Sequence, residues 1–237
     1  AEYERKYLKY ETLPRPVVTD VVFDVAIYPD ERRLTVTGSY AMRNDSGVPI
    51  KELHVRQGDD DVVFTRLDIA GAKLASHDKR YFYRIYRFDI PLAPGATTRL
   101  EFASQVWRRG FPNSGAATDI VDNGTFVNNT VFAPVIGMDR RGLLEDRTAR
   151  RRQGLPAELR MPRLEDTSAQ GQNYVRADWV NARITISTAA DQVPIAPGNK
   201  ISDEVKGTRR VAVFQSPAPI LNFFSVQSAR YAVAEEQ

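Results

Sequence analysis

Through residues 21–42 the chain alternates. Val21, Phe23, Val25 and Ile27 carry the rhythm in "VVFDVAIY", and Leu34, Val36, Gly38, Tyr40 and Met42 carry it in "LTVTGSYAM", with the turn "PDER" at 29–32 between them. A period of two sends every second side chain to one face of an extended strand, so the pair reads as a β-hairpin with one face buried. The pattern recurs. "NDSG" turns the chain into "IKELHV", "VVFTRLDIAG" runs into Gly71, and "RYFYRIYRFDI" carries aromatics on both faces. "PLAPGATT" then leads to "RLEFASQVW". Turn signals about every 8–12 residues are the spacing of an antiparallel sandwich or open barrel. After a break, strands resume at "WVNARITIST", "RRVAVFQS" and "FFSVQSARYAV". The fold class expected is all-β: an antiparallel β-sandwich, saddle-like, of two or more packed sheets, with one short helix and long irregular connections.

The 237 residues read as a single β-sandwich domain over 1–237, because no repeat, low-complexity tract or linker divides them. Residues 1–15 form a charged N-terminal arm with Tyr3, Tyr7 and Tyr10, ended by Pro14 and Pro16. Residues 108–177 form an irregular insertion holding the helix, about 142–154. There Asp146 and Arg150 lie at i,i+4, arginines fill the last turn, and Gly154 and Pro156 stop it. The stretch "NARITISTAADQVPIAPG" at 181–198 reads as a strand followed by a turn whose shape Gly198 and the prolines set.

Composition excludes more than it selects. The formal net charge is +3 with both signs dispersed, against the concentrated basic face that nucleic acid requires. The absence of cysteine removes disulfides and thiolate zinc sites. No run of about 18 apolar residues suggests a membrane span, so the chain is expected to be soluble.

Catalytic signatures are missing from the sequence. The two histidines are His54, opposite in phase to Leu53 and Val55 and so expected on a solvated face, and His77, in the polar turn "SHDKR". Neither HExxH nor H-x-H nor a glycine-rich phosphate loop occurs. "GDDD" at 58–61 reads as a solvated acidic turn rather than a calcium loop. The arginines at 140, 141, 147, 150, 151 and 152, diluted by Asp139, Glu145 and Asp146, read as a salt-bridged helix surface rather than an anion patch. Tyr81, Phe82, Tyr83, Tyr86 and Phe88 read as packing rather than a sugar platform. "NGT" (123–125) and "NNT" (128–130) are read as chance matches to the glycosylation sequon.

Several segments taken together resemble a known family. "DVAIYPDERRLTVTGSYAMRNDSG", "PLAPGATTRLEF", "ARITIST" and "RRVAVFQSPAPILNFFSVQSARYAV" resemble the N-terminal β-sandwich of the zinc aminopeptidases related to aminopeptidase N and leukotriene-A hydrolase. "NGTFVNNTVFAPVIGMDRRGLLEDRTARRRQGLP", "RMPRLED" and "ADQVPIAPG" resemble a bacterial subgroup in which such a region is fused to an ABC-2-type transporter permease. The resemblance spans roughly residues 8–233 and lies in the order and spacing of the segments.

That resemblance implies a non-catalytic N-terminal domain. The family's zinc ligands belong to a following domain, so no cofactor is expected in this chain, and "FAPVIGMD" stands where the family has "FPCFDEP". The implied partner is a downstream peptidase-like domain of the same polypeptide, whose substrate cleft this domain would wall. The membrane would be met only through the rest of the parent, with the chain on the extracytoplasmic side. Counting back from Pro134, the family's cleft-lining polar position falls near Asn123 and Thr125, a possible contact with peptide substrate. The alternative is an independent β-sandwich binding module for a protein or carbohydrate partner, which exposed tryptophans at 107 or 179 would favour. A self-contained hydrolase would need an acid–base pair that the sequence does not locate.

Overall fold

A computed structural model describes residues 1–109, 117–158, 163, 165–167 and 178–234. The first seven strands are β1 (Val17–Tyr28), β2 (Arg33–Arg43), β3 (Ile50–Arg56), β4 (Val62–Ile69), β5 (Ala72–Asp78), β6 (Tyr83–Leu92) and β7 (Thr97–Trp107). Short pieces follow: β8 (Ile120–Val121), β9 (Gly124–Asn128) and β10 (Val135–Ile136). The closing set is β11 (Trp179–Ala189), β12 (Val193–Ile195), β13 (Asn199–Lys206), β14 (Arg209–Gln215), β15 (Ile220–Leu221) and β16 (Ser225–Ala229).

The alternation at 21–42 sets the register of the first hairpin. Val21 lies opposite Tyr40, Phe23 opposite Gly38, and Val25 opposite Val36. All but Gly38 bury their side chains. A Cβ on Gly38 would stand 2.7 Å from Phe102 and 2.8 Å from Phe23, so the missing side chain is what lets those rings meet over β2. Phe23 packs on Phe102 and Phe132 with ring centroids 5.8 and 5.5 Å apart.

The large sheet runs β10-β3-β6-β5-β4-β7-β2-β1-β11-β14-β13, with β15 attached to β11. A second sheet, β12-β16-β9-β8, packs on its inner face, and Ile120, Val127 and Val226 join Val21 and Phe23 in one core. This is the all-β sandwich expected. One pairing departs from the antiparallel expectation. Asp20 to Ala26 of β1 lie parallel to Asn181 to Ser187 of β11. A parallel pair needs a long crossover, and the chain between Tyr28 and Trp179 supplies one.

Three helices are short: α1 (Glu2–Tyr7), α2 (Asn129–Phe132) and α3 (Arg147–Arg152). The helix read at 142–154 is only α3, preceded by a 3-10 turn at Arg140–Gly142. Asp146 explains the difference. Its carboxylate accepts from the Ala149 amide at 2.7 Å, capping the helix and ending the extended backbone before it. The loop read as a turn at 190–198 contains β12, which pairs with β16. Gly198 does bend sharply there (φ +101°), and a Cβ would stand 2.5 Å from the Gln215 carbonyl oxygen.

Candidate functional site

The hairpin β8–β9 brings together the two residues singled out for a cleft. Asn123 sits exposed at the turn, and its Oδ1 accepts from the Arg230 backbone N–H at 2.7 Å. The Arg230 side chain pairs with Asp191 (2.5 Å) and Asp122 (3.4 Å), and its hydrogen bond holds the Asp191 carboxyl below its ordinary range. Thr125 points the other way. It is 1% exposed, faces Ser228 and Ile120 across neighbouring strands, and its hydroxyl has no hydrogen-bond partner among the described residues. Behind it a buried chain of polar groups fixes the hairpin. Thr188 Oγ1 lies 2.6 Å from Ser228 Oγ, Ser228 donates to Gln192 Oε1, and Gln192 donates to the Asp122 carbonyl.

The outer face of the same small sheet carries exposed apolar side chains. Ile195, Gln227 and Phe126 lie directly opposite one another on three adjacent strands, and direct pairing puts them on one face. Phe126 is 56% exposed, with Ile195 and Tyr231 also exposed beside it. The Tyr231 hydroxyl lies 3.5 Å from Gln227 Oε1. Isoleucine and phenylalanine flanking a glutamine, with a tyrosine nearby and a polar turn beside them, form a surface suited to docking rather than to chemistry.

The other residues singled out from sequence fall elsewhere. His54 has the strand phase expected, opposite Leu53 and Val55, but it is buried, which corrects the reading of a solvated face. The N-terminal arm covers that face: Tyr10 lies over the imidazole (centroids 4.6 Å) and Tyr7 stacks on Tyr83 (4.1 Å). His54 Nδ1 is 2.9 Å from the Tyr83 hydroxyl, while Nε2 has no hydrogen-bond partner among the described residues and stands 3.7 Å from Glu52. Burial pushes its pKa down against the pull of Glu52. His77 lies on β5, not in a turn. It pairs opposite Arg84, whereas His54 pairs opposite Ile85, so the two imidazoles occupy opposite faces and cannot share a metal. Among the described residues no group of three or more His, Asp or Glu is placed to hold a metal ion.

"GDDD" is not solvated throughout. Asp59 and the exposed Asp61 both bond Arg108, which Asp119 grips from the other side at 3.0 and 2.7 Å. Burial works against the Arg108 charge, yet the bonds to Asp59 and Asp119 raise its pKa overall. Arg150 likewise is no surface residue. It is buried against Glu4 of α1, with both contacts at 2.8 Å, and not paired with Asp146 as i,i+4 spacing suggested. Both ion pairs join positions far apart in sequence, which no local pattern signals.

Packing takes most of the aromatic strand. Tyr83 packs under the arm, Tyr86 and Phe88 enter the main core, and Tyr81 sits edge-on to Tyr3. Trp107 is flanked by Arg33 and Arg109, while Trp179 is 67% exposed.

With the geometry in hand, comparison with known proteins adds one finding. No family model matches the sequence, and no curated protein matches it. Solved structures do. An M1 zinc metallopeptidase from Deinococcus radiodurans superposes with a TM-score of 0.55 at 10% identity, covering 94% of this chain and 45% of that one. A two-domain M1 zinc metallopeptidase mutant bound to L-tryptophan gives 0.55 and 10%, covering 94% and 46%. The Deinococcus radiodurans mutant bound to a Tyr-Ser-Ala substrate gives 0.53 and 10%, covering 94% and 45%. At this identity the likeness is one of fold, and the chain spans less than half the length of these structures.

Proposed function

We propose that this chain is a single non-catalytic β-sandwich domain of a zinc-peptidase-like protein, packing on a further domain of the same polypeptide and walling one side of its substrate cleft. The observation that carries the reading is the apolar row Ile195–Phe126 with Tyr231 beside it, at the edge of which Asn123 sits exposed. Exposed apolar side chains such as Ile195 and Phe126 on one sheet face, with Tyr231 nearby, stabilise a protein when another surface covers them. In this reading Asn123, exposed at the turn, would meet a peptide through its side-chain NH2, its Oδ1 already accepting from Arg230. Thr125 would set the hairpin from behind. Zinc and the groups that use it would belong to the further domain. Association with a membrane permease, on the extracytoplasmic side, rests on the sequence resemblance alone. No described helix is long and apolar enough to cross a membrane.

Amide hydrogen exchange tests this reading. In the full-length polypeptide, amides of 124–128 and 225–229 should exchange at least about tenfold more slowly than in residues 1–237 alone, as expected where docking suppresses local opening. Equal rates in the two would overturn it. A second reading, a carbohydrate-binding module, is favoured by one observation, the exposed indole of Trp179. Weakened binding to immobilised glycans on Trp179→Ala would support that reading instead.

A further inference from the structure

A cleft of about 510 Å³ opens between residues 129–141 and the segments 15–18 and 221–223. Its floor is Val18, Tyr40, Val135, Ile136 and Met138. The 134–136 segment is fixed to the sheet: the Tyr40 hydroxyl donates to the Pro134 carbonyl at 3.0 Å, and β10 pairs with β3 through Val55 and Arg56. The rim carries Phe223, 54% exposed, and Leu221, paired opposite the exposed Trp179. Apolar side chains thus line both the floor and one lip.

The remaining wall is cationic. Asp178 is buried and fully engaged by Arg15 at 2.8 and 2.9 Å and by the Val18 amide at 2.9 Å, so that pair contributes no net charge. Asp139 serves two guanidiniums, Arg56 at 2.5 Å and Arg141 at 2.7 Å, and also accepts from the Arg141 amide. Arg140 pairs with Glu11. Among the described residues that line the cleft, three arginines (Arg15, Arg140 and Arg141) stand against two carboxylates (Asp139 and Asp178), an excess of one positive charge. Arg141 carries it nearest the solvent, with 60% of its side chain exposed.

We propose that this cleft binds a small monocarboxylate with an apolar body, its tail on the Val18–Met138 floor under Phe223 and its carboxylate at Arg141. The volume lies within the range of about 300–1,000 Å³ typical of small-ligand pockets. A charge-assisted bond from a guanidinium to a carboxylate at the edge of an apolar surface gains strength from the reduced local dielectric. A dication or a sugar would find neither a carboxylate surplus nor a polar floor.

The test uses the 237-residue chain and three probes followed by calorimetry: decanoate, 1-decanol with a similar tail and no charge, and acetate with the charge and no tail. Decanoate should bind at least about tenfold tighter than either. Arg141→Gln should weaken decanoate at least about fivefold while leaving decanol unchanged, because Asp139 keeps Arg56 and the backbone amide at 141. Phe223→Ser, at an exposed position, should weaken both decanoate and decanol. Urea midpoints of both variants close to the parent's would show that the fold is intact. Equal affinity for decanoate and decanol, or full decanoate affinity in Arg141→Gln, would overturn the proposal.

Discussion

Arg108 donates all around its guanidinium to Asp59, Asp61 and Asp119, and it is almost fully buried. Removing the cation leaves partly buried carboxylates facing one another, so Arg108→Met should destabilise the fold by about 3 kcal/mol, the lower end for breaking a buried pair. Urea unfolding reads this directly, and a loss within experimental error would refute the assignment. His54 makes a pH prediction. Burial lowers its pKa in the fold, so the unfolded chain takes up a proton below about pH 6.5 that the folded site resists. Stability present above that pH is lost as the pH falls through the folded value. His77 is shifted the same way, and these are the only two histidines. The groups around His54 are Glu52 with its partner Arg87, Tyr83 on β6, and Tyr10 on the arm. Unfolding free energy should therefore decline from pH 7 to 5, and His54→Gln should flatten the decline. An unchanged slope in that variant would assign the decline to other groups.

At the scale of elements, Gly38 shows how one strand position governs its neighbours. Gly38→Ala forces a methyl group into the Phe23–Phe102 contact and should cost about 1–3 kcal/mol by overpacking. A variant as stable as the parent in thermal melts would mean the rings move aside freely. Legibility in sequence followed burial. Strands with one buried face, such as β1, β2, β7 and β11, were plain from the period of two. β5 and β13 escaped because their side chains are mostly exposed, so "AKLASHD" and "NKISDEVK" carry no apolar alternation. The pattern at 142–154 marks a helix in the right part of the chain but overstates its length, since arginines that suit a helix end also suit the turn before it.

Over the whole molecule, the parallel join of β1 to β11 ties the first sequence quarter to the last. A fragment of residues 1–158 lacks β11 and leaves the β1 backbone unpaired along seven positions, besides losing half of the small sheet. It should show no cooperative urea transition and should bind a hydrophobic dye, whereas the entire chain unfolds in one step. A sharp transition in the fragment would show that the first seven strands fold alone. The candidate surfaces belong to this scale too. The row Ile195–Gln227–Phe126 unites three strands, and the acid-binding cleft proposed here draws on segments from positions 15 to 223.

By itself the sequence determined the all-β class, the hairpin at 21–42 and the phase of His54, because each depends on neighbours a few residues away. Tertiary structure decided the rest. It turned the outer face of β3 into an interior by laying the tyrosines of the arm across it, and it brought Asp119 and Glu4 to buried arginines. It also left Phe126 and Phe223 uncovered. Alternation tells which face a side chain takes, but what lies against that face is set by strand order and crossovers, and those emerge only when distant segments pack.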